Sequence, residues 1–109
     1  MARHIPKSVM PDTMQVFLKD YASDYDDGWL EPFEIENVRF ERADQIINSP
    51  YKLSDGASGR VWIDAANSKG ATKIPIGSKV VINGESYIVN ACNAYKCGKH
   101  IHHWELDVN

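Results

Sequence analysis

The sequence has few cysteines, few basic residues and no long apolar run, and each shortage disfavours a class of protein. Only two cysteines occur in 109 residues, too few for the disulfide framework of a small secreted domain. The 12 lysines and arginines are outnumbered by 15 aspartates and glutamates, which gives a formal net charge of -3. A protein that grips nucleic acid through its phosphates needs clustered cations. No apolar run approaches the roughly 18 residues that indicate a membrane span.

The N-terminus and the length together indicate one cytosolic domain. Residues 1–7 carry charges with no apolar core behind them, so we expect no secretory signal peptide and a protein that stays in the cytosol where it is made. A chain of this length supports one hydrophobic core. We therefore expect a single domain over 1–109, in which residues 1–11, with Pro6 and Pro11, form an N-terminal arm.

Alternating apolar and polar residues predict strands separated by turn-forming residues. Asn83-Gly84 is the strongest hairpin signal in the chain. A switch of parity at Glu36-Asn37 predicts a β-bulge. The predicted strands are 13–19, 32–42, 59–66, 78–83, 86–94 and 99–108. About six strands without a confident helix predict an all-β fold, which in so short a chain closes most simply into a small antiparallel β-barrel.

Large apolar residues on one parity of these strands are the candidate core. In the last strand, His102, Trp104, Leu106 and Val108 share a face, because side chains two apart point to the same side. The residues predicted to hold the core together are Val38, Phe40, Trp62, Trp104 and Leu106.

A cluster of cysteines and histidines near the end raises a zinc hypothesis. Thiolate and imidazole are ordinary zinc ligands. Cys97, His100 and His102 could converge, because the two histidines share a strand face and Cys97 lies just across the preceding turn. However, the spacing fits no common zinc motif, and His103 must point away from His102. We interpret the histidines as structural and expect no metal and no cofactor. The sequence also has no nucleophile elbow and no phosphate-binding loop, so we expect no enzymatic activity.

The segment 43–58 has no regular pattern and is the candidate interaction site. Patternless loops longer than about 12–15 residues are uncommon inside compact domains and are usually functional or disordered. Two alternatives remain open, since its large apolar residues either fold back onto the barrel or wait for a partner subunit. The residues assigned to this candidate interface are Gln45, Ile46, Ile47, Tyr51, Lys52 and Leu53. A further alternative is an oligonucleotide-binding barrel that stacks bases on Trp62 or Tyr51.

Three stretches give the chain a resemblance to a known family. Residues 34–41 contain the motif Ile35-Glu36-Asn37-Val38-Arg39, residues 79–85 form a hairpin followed by Tyr95, and residues 99–106 contain His102-His103-Trp104-Glu105. In this order and spacing they resemble the minor capsid proteins of tailed phages and prophages, over roughly residues 13–108.

The resemblance implies a structural protein of the head-to-tail connector. Related head-closure, or stopper, proteins are small β-barrels with a long inserted loop, and segment 43–58 occupies the matching place. The implied partners are the portal and adaptor proteins and tail-completion proteins, on which the chain, a monomer in isolation, assembles as a dodecameric ring. The implied location is the head–tail junction of a virion assembled in the bacterial cytoplasm, with at most indirect contact with packaged DNA. Whether this member is a stopper or a tail-side completion protein stays open.

Overall fold

The computed structural model describes residues 4–22, 28–45, 53–54 and 56–109. Within these residues lie six strands: β1 (Asp12–Phe17), β2 (Phe33–Arg42), β3 (Gly59–Asp64), β4 (Lys79–Ile82), β5 (Glu85–Cys97) and β6 (His100–Val108). Two 3-10 helices span Lys7–Val9 and Ala43–Gln45. The strands follow one another in the order β1-β2-β3-β6-β5-β4, every neighbouring pair is antiparallel, and β1 pairs with β4 to close the sheet. The predicted all-β, six-stranded antiparallel barrel is confirmed.

Local sequence signals explain one tight turn and one bulge of the described chain. Asn83 and Gly84 both have positive φ angles, 53° and 80°, as a type I′ hairpin turn requires. In the ladder between β1 and β2, Asp12 pairs with Val38 and Thr13 with Glu36. Asn37 is therefore an extra residue, with φ 57°, and asparagine tolerates this left-handed conformation. The predicted hairpin and β-bulge are both confirmed.

The barrel interior is apolar and receives one contribution that the strand pattern does not predict. The buried cluster consists of Met14, Val16, Ile35, Val38, Val61, Ile63, Ile74, Val80, Ile82, Val89, Trp104, Leu106 and Val108. Ile74 lies in the connection between β3 and β4, outside every strand that the sequence predicts, yet it is fully buried. The connection is tied to β2 by paired backbone hydrogen bonds between Lys69 and Glu36. Ile74 thus joins the core from outside the strands. The alternation of apolar and polar neighbours along the chain cannot reveal a contact of this kind.

The predicted core residues differ in how deeply they lie. Val38 and Leu106 are fully buried and Trp104 is 8% exposed. Phe40 and Trp62 are half-buried, with the Phe40 ring 5.2 Å from that of Tyr87. The indole Nε1 of Trp104 is buried without a hydrogen-bond acceptor, which is costly for a donor removed from water.

The described part of the N-terminal arm, residues 4–11, packs against the barrel. Arg39 Nη1 donates to the carbonyl oxygen of Val9 at 3.0 Å, and Asn37 Nδ2 donates to that of Met10 at 3.3 Å. The Met10 side chain is fully buried. The arm is thus joined to the bulged part of β2 by both polar and apolar contacts.

The orphaned indole of Trp104 predicts an unequal response to two substitutions. Trp104→Ala should lower the free energy of unfolding by about 3–5 kcal/mol, because it leaves a large cavity. Trp104→Phe should cost clearly less, because it keeps much of the ring and removes a buried N–H whose unmet hydrogen bond costs about 1–3 kcal/mol. Urea unfolding followed by circular dichroism measures both. Equal losses in the two variants would contradict this account of the indole.

Candidate functional site

The segment 43–58 leaves and rejoins the barrel at one place. Ala43 N–H donates to the carbonyl oxygen of Ser58 at 2.9 Å, and Ser58 N–H donates to that of Val108 at 2.7 Å. The two ends of the segment are therefore adjacent and are fixed to the last residue of β6. Among the assigned interface residues, Gln45 ends the second 3-10 helix and Leu53 is half-buried. Ile46, Ile47, Tyr51 and Lys52 lie outside the described residues, so the interface stays a prediction.

Gly59 marks the point where the segment returns to the barrel. A Cβ atom at this position would lie 2.6 Å from the carbonyl oxygen of Glu41 and 2.8 Å from the Phe40 ring. Real Cβ atoms do not approach backbone oxygen this closely, so only glycine fits without a shift of β2. The backbones of β2 and β3 can meet here because position 59 has no side chain.

A buried ion pair lies directly beside this junction. Arg60 Nε donates to Asp107 Oδ1 at 2.7 Å, and Arg60 Nη2 donates to Asp107 Oδ2 at 3.3 Å. Both residues are 1% exposed. Ser54, in the returning part of the segment, donates to Asp107 Oδ2 from its backbone N–H at 3.0 Å and from its hydroxyl at 2.6 Å. One carboxylate thus joins β3, β6 and the segment.

The polar network continues along β6 towards its start. Arg60 Nη1 lies 3.3 Å from Glu105 Oε1, close enough for an ion pair although that oxygen accepts no hydrogen bond. Glu105 Oε2 lies 2.9 Å from His103 Nε2, and the His103 ring stacks on Tyr95 at 4.9 Å between ring centroids. The polar face that alternation predicts for β6 is present, but Glu105 and Asp107 are buried, which the alternation alone does not reveal.

Two aspartates hold their charge in spite of burial. Burial alone would raise the pKa of Asp107, but hydrogen bonds from Arg60 and Ser54 outweigh it and hold this pKa below its usual range. Burial also opposes ionisation of Asp64. The backbone N–H groups of Ile5, Asn67 and Ala66, together with His4, outweigh that effect and lower the pKa of Asp64. Both carboxylates are therefore anionic in the folded protein at neutral pH.

The cysteine–histidine trio suggested for zinc does not come together. Cys97 and His100 pair across β5 and β6 at the hairpin end, but their ligand atoms do not gather with those of His102. Within the described ranges, the His102 ring is instead grouped with His4 and Asp64, whose ligand atoms all lie within 4.8 Å of one another. Sequence reasoning missed these two partners, because 60 residues separate them and no local pattern joins the arm to the end of β3.

The thiol of Cys92 is not suited to nucleophilic chemistry. Its side chain packs against the apolar core, and this burial raises the pKa of the Cys92 thiol in spite of a hydrogen bond to the backbone of Ile74. A raised pKa reduces the fraction of reactive thiolate at neutral pH. Cys92 is better described as a small apolar residue of the barrel wall.

The protein is thus a small closed β-barrel that carries one long insertion with hydrogen-bonded ends. In the described part of the chain no helix combines the length and apolar character needed to cross a bilayer. The profile of the minor capsid protein family matches residues 6–108, and the chain belongs to this family, as its resemblance to phage minor capsid proteins suggested. Its role is therefore structural and its place is the phage virion. No curated protein and no solved structure matches the chain.

The buried carboxylates predict acid sensitivity of a defined sign. A carboxyl group whose pKa is lower in the folded than in the unfolded state adds stability above its unfolded pKa, near 3.9 for aspartate, and this stability is lost as the pH falls from there through the folded pKa. The free energy of unfolding should therefore decline below about pH 4, because there Asp64 and Asp107 bind protons in the unfolded chain while they resist protonation in the folded one.

Asp107→Asn tests the share of this effect that belongs to the ion pair. At pH 7 we expect it to cost about 3–5 kcal/mol, since it breaks the hydrogen-bonded buried pair and leaves Arg60 with only the more distant Glu105 as counter-charge, and the acid-dependent decline should become shallower. Asp44→Asn, on an exposed residue, is the matched control and should change neither quantity. Urea unfolding between pH 3 and pH 7 gives both, and an unaltered pH profile in Asp107→Asn would refute the assignment.

Proposed function

We propose that this protein is a subunit of the phage head-to-tail connector and that it docks as a homo-oligomeric ring beneath the portal–adaptor complex. In this proposal segment 43–58 meets the neighbouring subunits and helps to close the DNA channel. The observation that supports it most is the anchoring of the segment, in which Ala43, Ser54 and Ser58 are all hydrogen-bonded at one end of a closed barrel.

Such an insertion suits a part that orders on docking. Fixing the backbone of one residue costs about 1–2 kcal/mol, so a long segment that orders only on contact draws this free energy from its partner. The barrel supplies a rigid frame, because the Arg60–Asp107 pair and the close approach at Gly59 fix both flanks. The apolar residues Ile46, Ile47 and Tyr51 are then the part that a portal, adaptor or tail-completion protein would cover.

The charge of the chain fits closing a channel better than gripping a duplex. A formal net charge of -3 offers no general attraction to phosphates, so contact with packaged DNA would be indirect. A ring of such subunits, a dodecamer in our proposal, would be held by protein contacts at the head–tail junction, with the isolated chain a monomer.

A shortened insertion tests this role. Residues 46–52 are replaced by a short Gly-Ser linker, while Leu53 and Ser54 are kept so that the hydrogen bonds to Asp107 survive. We expect a thermal unfolding midpoint close to that of the natural protein, because both flanks remain anchored. Phage particles carrying this variant should lose packaged DNA or fail to join tails, as measured by DNA content and electron microscopy.

Two further variants separate the segment from general surface effects. The triple substitution Ile46→Ser, Ile47→Ser and Tyr51→Ser keeps the length and should reproduce the defect. Tyr21→Ser removes an aromatic side chain that is 84% exposed in the connection between β1 and β2, at the opposite end of the barrel, and should leave particles normal. Full, infectious particles from the shortened variant would overturn the proposal.

A further inference from the structure

The start of the N-terminal arm and the end of β3 bring together two imidazoles and a carboxylate. His4, Asp64 and His102 each offer a ligand atom, and these atoms lie within 4.8 Å of one another. We propose that these three residues form a binding site for a divalent transition-metal ion of the zinc type, which fastens the N-terminal arm to the barrel. This inference is independent of the proposed connector function.

Asp64 is held in one orientation before any ion arrives. Its Oδ1 accepts the backbone N–H of Ile5 at 2.9 Å, and its Oδ2 accepts those of Ala66 and Asn67 at 2.9 and 2.8 Å. The residue is fully buried. A carboxylate fixed by three backbone donors keeps its one remaining acceptor site, of about four, in a constant direction, as the supported ligands of metal sites do.

His4 occupies the position that a cation would take or share. Its Nδ1 lies 3.1 Å from both carboxylate oxygens of Asp64. Zinc binds imidazole nitrogen and carboxylate oxygen at about 2.0–2.2 Å, so two of its ligands in tetrahedral geometry lie roughly 3.4 Å apart. The pair thus needs little movement to accept an ion, which would bind the Nδ1 lone pair of a neutral ring that has its single proton on Nε2.

The His102 ring is held in place by its neighbour on β6. Glu105 accepts from His103 Nε2, so the neutral His103 ring has its lone pair on Nδ1. That nitrogen lies 2.7 Å from His102 Nδ1, within hydrogen-bonding distance. The contacts that run from Glu105 through His103 thus fix the orientation of the His102 ring, as supporting groups do for metal-binding histidines.

To complete the site, the His4 ring has to move slightly towards His102, and its place on the N-terminal arm permits this movement. The rings of His4 and His102 are nearly parallel, at 7°, with centroids 5.1 Å apart. The His4 side chain is 41% exposed, so it can rotate towards His102 without disturbing the core. An ion bound to all three residues would add a cross-link between residues 4 and 102, beside the hydrogen bond from Asn67 Nδ2 to the carbonyl oxygen of Ile5 at 2.8 Å.

Zinc titration of untagged, chelator-treated protein by isothermal calorimetry tests the site. We expect one Zn²⁺ per chain, a higher thermal midpoint, and shifts of the ring nitrogen signals of His4 and His102 in NMR spectra. His4→Ala should weaken binding by at least about tenfold while leaving the metal-free midpoint nearly unchanged, because this side chain is partly exposed. His103→Gln should weaken binding by about 10–100-fold, the usual effect of losing a supporting residue.

Matched controls decide whether the ion binds elsewhere. His100→Ala removes an exposed histidine from the same strand, and Cys97→Ser removes the thiol that faces it across the hairpin. Both variants should bind zinc as the natural protein does. Binding that survives His4→Ala, binding that is lost in either control, or the absence of stoichiometric binding would overturn the assignment.

Discussion

Closure of the sheet is the constraint on which the rest of this structure depends. β1 pairs with β2 on one side and with β4 on the other, so both edges of β1 are occupied. β2 has one extra residue at Asn37 in its ladder with β1, and a bulge of this kind bends the strand and increases the local twist. Because the sheet is closed, its core residues face an interior without an open edge, and the connections between strands lie at the two ends of the barrel. The described ends of segment 43–58 therefore lie at the opposite end of the barrel from Tyr21.

The fold was largely predictable because its strands and turns have short-range signals. Asn83-Gly84 and the parity switch at Glu36-Asn37 are read from neighbouring residues, and both lie where the sequence indicates. β5 nevertheless runs to Cys97, three residues beyond the expected end. There it pairs only with β6, in a hairpin that extends past the other strands. This part of β5 has no buried face, so its residues show no apolar alternation from which a strand could be predicted.

The polar contacts were not predictable, because they join residues far apart in the chain. Arg60 and Asp107 are separated by 47 residues, and nothing near either residue reveals the register that sets them side by side. Burial of Asp107 depends on the same pairing, since alternation places it on a face expected to be wet. His4 and Asp64 meet only because the arm packs on the barrel. For His102, the order of residues suggested Cys97 and His100 as partners, whereas the structure places it with His4 and Asp64.

The adjacent, anchored ends of segment 43–58 have a consequence for how such proteins can diversify. When the two ends of an insertion already touch, its length has little influence on the body that carries it. Each doubling of a flexible loop adds only about 0.6 kcal/mol of closure entropy. Related barrels could thus carry longer or shorter insertions with almost no change in the free energy of folding. The same barrel could then serve channels of different width. Such barrels would still require glycine at position 59, since the close approach of β2 and β3 leaves no room for a side chain there.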